Sequence, residues 1–100
     1  MGYDLKFEAE ALQEWKALDN SVREPLKKKL AKRLEQPHIP GQRLHGDLAS
    51  CYKIKNDKTG HRLIYQVLDA DLVVMVLAIE ARADLKAYRL ALERLKDSND

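Results

Sequence analysis

Leu72-Val73-Val74-Met75-Val76-Leu77-Ala78-Ile79 is an unbroken apolar run rich in β-branched side chains. It is far too short to cross a bilayer as a helix. Its lack of alternation predicts a strand buried on both faces, and therefore central in a sheet. The rest of the chain must cover that strand. At 100 residues the chain has the size of a single domain with one modest core, expected to span residues 1–100.

The neighbouring segments supply the cover. Leu63, Tyr65 and Val67 alternate with Ile64 and Gln66, and Tyr52-Lys53-Ile54-Lys55 precedes them across a polar turn containing Gly60. This pattern predicts a hairpin. Asp69-Ala70-Asp71 leaves room only for a tight connection, so the last three strands should form an antiparallel meander. Tyr3, Leu5 and Phe7 share one face of a further half-buried strand. From Glu8 to Leu18, Ala11, Leu12, Trp15 and Leu18 fall at helical spacing. Ser21 and Glu24 have the form of a capping box. Pro25 is tolerated only near a helix start, so a second helix is expected from about Ser21, with Val22, Leu26, Leu30 and Leu34 as its apolar stripe. Pro37 ends it by Gln36. Pro37 to Ser50 reads as a long loop tied down by Leu44 and Leu48. Asp84 is the expected N-cap of a last helix carrying Leu85, Tyr88, Leu92 and Leu95. The predicted class is α+β: an antiparallel sheet of about four strands, an N-terminal helical hairpin packed on one face, and a C-terminal helix.

Charge does not settle the partner by its sum. Eighteen basic and sixteen acidic residues leave a net +2, but the acids concentrate between Asp4 and Asp19 and at the C-terminus, while bases dominate from Lys27 to Arg62. Cys51, the one cysteine, cannot form an intrachain disulfide, which points to a reducing cytoplasm. The first ten residues lack a basic-then-apolar signal, and no membrane partner is expected. His38, His45, His61 and Cys51 do not make a close-spaced ligand pair of the zinc type, and no glycine-rich phosphate loop is present. No metal or cofactor is expected.

The cations carry more information. Lys53 and Lys55 are two apart on one strand, so their side chains leave the same face. Arg62 opens the next strand, where parity sets it with Ile64 and Gln66, and Arg82 follows the central strand. Taken alone, these residues suit either an anion-binding site or a charged strand edge that discourages pairing. Lys27, Lys28, Lys29, Lys32 and Arg33 suit a solvated helix face or docking on nucleic-acid phosphate. Tyr88 suits core packing or a stacking platform.

Five pieces in order resemble the RelE family of toxins from toxin–antitoxin pairs, part of the RelE/ParE superfamily. They are Trp15 with Val22-Arg23-Glu24, then Leu44-His45-Gly46, then Cys51-Tyr52-Lys53-Ile54-Lys55, then His61-Arg62-Leu63-Ile64-Tyr65-Gln66-Val67, and last Arg82 with Tyr88. The resemblance runs from about Tyr3 to Leu95. It implies a RelE-like, microbial-RNase-like fold and a metal-independent, ribosome-dependent endoribonuclease that cuts messenger RNA in the decoding site. The RNA's own 2′-hydroxyl would be the nucleophile. The implied catalytic set is Lys53, Lys55, Arg62, Arg82 and Tyr88, with Lys27, Lys28, Lys29, Lys32, Arg33, Arg43 and His45 binding RNA or ribosome.

Those residue types fit the chemistry. Preorganised arginines stabilise charge that develops on phosphate oxygens, and neighbouring cations disfavour the charged form of a lysine that must act as base. The resemblance further implies a RelB-like antitoxin as partner, with operator DNA bound only through the toxin–antitoxin complex. Departures from the family pattern are His45, Glu80-Ala81 and Asp84, each of which removes positive charge near the site. Two other functions stay open: a ParE-like inhibitor of DNA gyrase without RNase activity, and a bare RNA-binding module.

Overall fold

The computed structural model describes residues 2–81 and 86–98, the last two by their backbone alone. Four strands are present: β1 (Asp4–Phe7), β2 (Cys51–Lys55), β3 (Arg62–Leu68) and β4 (Val73–Glu80). They form one sheet in the order β1-β4-β3-β2. The apolar run does form an inner strand, although Leu72 belongs to the turn before it. There Leu72 takes a left-handed φ of 53° and is 55% exposed, a conformation that bulky residues adopt rarely.

The sheet is mixed, which corrects the expected antiparallel one. β2, β3 and β4 are antiparallel neighbours, whereas β1 runs parallel to β4, with Asp4 opposite Val73 and Phe7 opposite Val76. Short turns force reversal only among the last three strands. Between β1 and β4 lie two helices, a loop and the β2–β3 hairpin, and a separation that long allows the parallel arrangement.

Three helices complete the described chain: α1 (Ala9–Ala17), α2 (Asn20–Glu35) and α3 (Lys86–Ser98). α1 is capped by Glu8, whose carboxylate accepts from the Glu10 and Ala11 amides. α2 starts earlier than the capping-box pattern suggested. Asp19 is the N-cap and takes the Ser21 amide, so Pro25 sits inside the helix rather than in its first turn. The Ser21 hydroxyl also bonds the Asp19 carboxylate, an acceptor stronger than a neutral hydroxyl. Arg23 donates to three carbonyls at the end of α1, those of Trp15, Lys16 and Leu18. It thereby satisfies acceptors that a helix C-terminus leaves open.

Two core clusters divide along strand parity. Leu63, Tyr65 and Val67 of β3 join Tyr52, Ile54, Val74, Val76 and Ile79 with Ala11 of α1 and Val22, Leu26 and Leu30 of α2. Ile64 faces the other way and packs with Cys51, Leu77, Ala78, Ala87, Ala91, Leu95 and Leu48. Successive strand residues point to opposite faces, so α3 lies against the face away from α1 and α2. A bulge between Ile64 and Tyr65 breaks the β3–β4 register, letting Leu77 and Ala78, adjacent in sequence, join the same cluster. The loop before β2 is fastened as expected, by buried Leu48 and half-buried Leu44. No described helix is long and apolar enough to cross a membrane.

Candidate functional site: a cationic groove at the edge of β2

The β2–β3 hairpin fixes the central geometry. Lys55 stands directly opposite Arg62, and Lys53 directly opposite Ile64. This register resolves the parity question, because Lys53, Lys55 and Arg62 leave the same face of the sheet. The turn is held by Asn56, only 5% exposed, whose side-chain oxygen accepts from the Lys58 and Thr59 amides. The Asn56 amide donates to the His61 carbonyl, and Gly60 supplies the positive φ of 80° that closes the turn. A buried, satisfied asparagine of this kind fixes the spacing of the two strands that carry the cations.

A groove of about 520 Å³ opens along this edge, lined by Lys29, Lys32, Arg33, Gln42, Lys53, Ile54, Lys55, Asp57 and Arg62. Among the described residues, six cations face one carboxylate, that of Asp57. Two of the six are tied down by their own hydrogen bonds. Lys29 donates to the Lys55 carbonyl at 2.5 Å and Arg33 to the Lys53 carbonyl at 3.2 Å. These contacts cover acceptors on the free side of an edge strand. Arg33 also donates to the Tyr65 hydroxyl at 2.8 Å, and that hydroxyl donates to the Pro37 carbonyl. Burial is the main cause that pushes the Tyr65 phenol above its ordinary value, against the pull of Arg33.

Arg62 is different. Its Nε is buried and has no hydrogen-bond partner, and among the described residues no carboxylate is paired with it. Glu80 is its register partner on β4, yet the Glu80 carboxylate lies 3.9 Å from Lys86. A buried polar atom left unsatisfied costs stability, and such atoms call for a specific explanation.

The remaining expected site residues are placed unevenly. Tyr88 packs half-buried against the α3-side cluster, over the sheet face that carries the three cations, but it does not line the groove. Arg82 and Asp84 lie outside the described residues. Lys27 borders a separate, largely apolar hollow with Leu5, Phe7 and Trp15, and Lys28 is exposed on α2. Arg43 donates to the Ala49 carbonyl beside His38 and Tyr52, away from the groove. His45 is exposed in the loop.

Some groups escaped sequence reasoning. Gln42 and Asp57 line the groove without any motif to announce them. Lys29 and Arg33 stand four apart, a spacing that sets both on one helix face, but a charge run gives no hint that their partners are backbone carbonyls. A second polar set, His38 with Tyr52, Asp69 and Tyr3, joins the loop to β2 and the β3–β4 turn, with His38 2.8 Å from both Tyr52 and Asp69. Hydrogen bonds from Tyr3 and His38 hold the Asp69 carboxyl below its ordinary range. Among the described residues no group of three or more His, Cys, Asp or Glu side chains could hold a metal ion.

Comparison with known proteins identifies the family. Residues 5–86 match the family model described as ParE toxin of type II toxin-antitoxin system, parDE. The mRNA interferase toxin RelE of Escherichia coli strain K12 is 44% identical over 95 residues, which cover 95% of this chain and 99% of that protein. A free-state structure of E. coli RelE carrying two arginine-to-alanine changes superposes with a TM-score of 0.85, at 44% identity, covering 95% of this chain and 99% of the other. The toxin in the intact E. coli RelBE toxin–antitoxin complex gives 0.77 at 46% identity, covering 82% of this chain and 98% of the other. The chain belongs to the RelE/ParE family of type II toxin–antitoxin toxins.

Proposed function

We propose that this chain is the toxin of a toxin–antitoxin pair and an endoribonuclease that cuts messenger RNA on the ribosome. The observation that carries this proposal is the convergence of Lys53, Lys55 and Arg62 on one face of a groove that contains one carboxylate. The relatives named as mRNA interferases support it. In the proposed reaction Lys53 or Lys55 takes the proton of a ribose 2′-hydroxyl, and the freed oxygen attacks the adjacent phosphorus. The 5′-oxygen leaves with a proton returned from a neighbouring cationic acid. The products are a 2′,3′-cyclic phosphate, or the 3′-phosphate formed from it, and a 5′-hydroxyl. Arg62 stabilises the charge that gathers on the phosphate oxygens, together with Arg82, and Tyr88 stacks on a base. Lys27, Lys28 and Lys32 contact ribosomal RNA phosphate. α1 and α2 serve as a helical pair covering one sheet face, which leaves the α3 face and the β2 edge to the RNA. An antitoxin of the RelB kind, the partner in the solved E. coli complex, would keep the toxin inactive in the cytoplasm.

The test is to incubate the protein with ribosomes carrying a defined codon in the decoding site and to map the RNA ends. Cutting with the stated end groups supports the proposal, and intact RNA removes it. A ParE-like role without RNA chemistry has one observation in its favour, the ParE family model. It predicts cutting-independent toxicity, and a protein-binding inhibitor has no need for Arg62 to stand without an acceptor.

A further inference from the structure

β1 pairs with β4 only from Val73 to Val76, so the outer edge of β4 beyond Val76 has no strand beside it. Side chains complete that edge instead. The Glu8 amide takes the Val76 carbonyl. Arg94 of α3 donates to the Leu77 carbonyl at 2.8 Å, and the Glu14 carboxylate of α1 accepts the Ile79 amide at 3.1 Å. Arg94 and Glu14 then bind each other twice, both at 2.9 Å, with Glu10 3.1 Å and Glu8 3.8 Å from the guanidinium. Arg94 is 7% exposed. The Glu14 hydrogen bond, then the charges of Glu14, Glu8 and Glu10, hold its pKa above the ordinary arginine value.

This clamp sits one strand away from the groove. Ile79 and Glu80 are the register partners of Leu63 and Arg62. Arg94 is six residues along α3 from Tyr88, and α3 packs on the sheet through Ala87, Ala91 and Leu95, with Tyr88, Leu90 and Leu92 half-buried beside them. Apolar contacts of this kind are non-directional. A guanidinium held by a strand carbonyl and by carboxylates on another helix fixes both rotation and height.

We propose that Arg94 and Glu14 are positioning residues for RNA cutting, setting the β4 end opposite Arg62 and the α3 face that presents Tyr88. This rests on the activity proposed above. A displacement of about 1 Å far from the chemistry can cost up to 100-fold in rate. The clamp should therefore act on the rate of the bound complex rather than on its formation.

The experiment measures single-turnover cutting of ribosome-bound message for wild type, Arg94→Lys, Glu14→Ala and Glu14→Gln. It reads the rate at saturating toxin, the half-saturating toxin concentration and amide exchange at Ile79. Arg94→Lys keeps the charge within the cluster but cannot reach Leu77 and two carboxylates together. It should cut roughly 10–100-fold more slowly, with half-saturation within about twofold of wild type. Glu14→Ala should do the same and expose the Ile79 amide to exchange. Glu14→Gln keeps the acceptor for Ile79 and should stay protected and nearer wild type. Should Glu14→Ala fail to fold, Arg94→Lys carries the same expectation. Folded Arg94→Lys cutting at the wild-type rate would overturn the proposal, as would a loss confined to half-saturation. No cutting by wild type removes the activity itself, and Ile79 exchange then still reports whether the clamp exists: equal protection in Glu14→Ala would overturn it.

Discussion

Arg62 and Arg94 both stand beside the C-terminal half of β4, one on β3 lining the groove and one at the opposite edge. Arg94 is enclosed by Glu8, Glu10 and Glu14 and bonds a strand carbonyl. Arg62 faces Lys55 and, among the described residues, shares a groove with five other cations and pairs with no carboxylate. The same side chain thus serves two ends. Where carboxylates balance the charge, it joins elements together. Where cations surround it, the proposed RNA phosphate is the group that would balance it. Lys29 and Arg33 are intermediate, since they line the groove and also seal the β2 edge.

That contrast can be broken at either arginine. Removing Arg62 as Arg62→Ala should lower cutting by about 100- to 1000-fold, the usual cost of one preorganised donor, without lowering stability, as measured by single-turnover cutting and chemical denaturation. On the balanced side, Glu14→Ala leaves Arg94 short of its best partner and the Ile79 amide exposed. Its denaturation midpoint should fall by an amount worth about 2–3 kcal/mol.

Two pH effects sharpen the comparison, one from burial without a charge partner and one from hydrogen bonds at the surface. Burial pushes the Cys51 thiol from 9.0 to about 11. Between those values the folded chain holds a proton that the unfolded chain has lost, so stability falls as pH rises through that window, by about 3 kcal/mol. Cys51→Ala should flatten the slope in alkaline denaturation series. The smallest effect belongs to Asp69, which is well exposed. Its lowered pKa, caused by Tyr3 and His38, contributes stability above the ordinary carboxylate value of 3.8 that is lost as pH falls through the folded value. Asp69→Asn should remove that portion of the acid slope in the same measurement.

The elements were legible because periodicity is local. The apolar run at Val73 to Ile79, the alternation around Tyr65 and the stripe from Val22 to Leu30 each reflect neighbours within a few residues. The β1 direction was not legible, since nothing in Tyr3 to Phe7 records which way a strand some 65 residues later will run. Lys53, Lys55 and Arg62 could be selected by type and spacing, but their common face depended on a register that only the Asn56 turn fixes. Arg94 was invisible for the same reason on a larger scale: the Glu14 and Glu10 carboxylates that bind it lie 80 or more residues away, on a different helix. The α2 start departs from the capping-box reading because the Asp19 carboxylate, and not the Ser21 hydroxyl, caps the helix.

The most direct test puts both halves of the comparison into one variant, Lys53→Gln/Lys55→Gln/Arg62→Gln, measured for cutting on programmed ribosomes and for its unfolding midpoint. If the groove keeps unbalanced cations for RNA chemistry, the variant does not cut, and its midpoint equals or exceeds that of wild type because mutual repulsion is gone. Retained cutting, or a midpoint lowered as far as that of Glu14→Ala, would contradict that assignment.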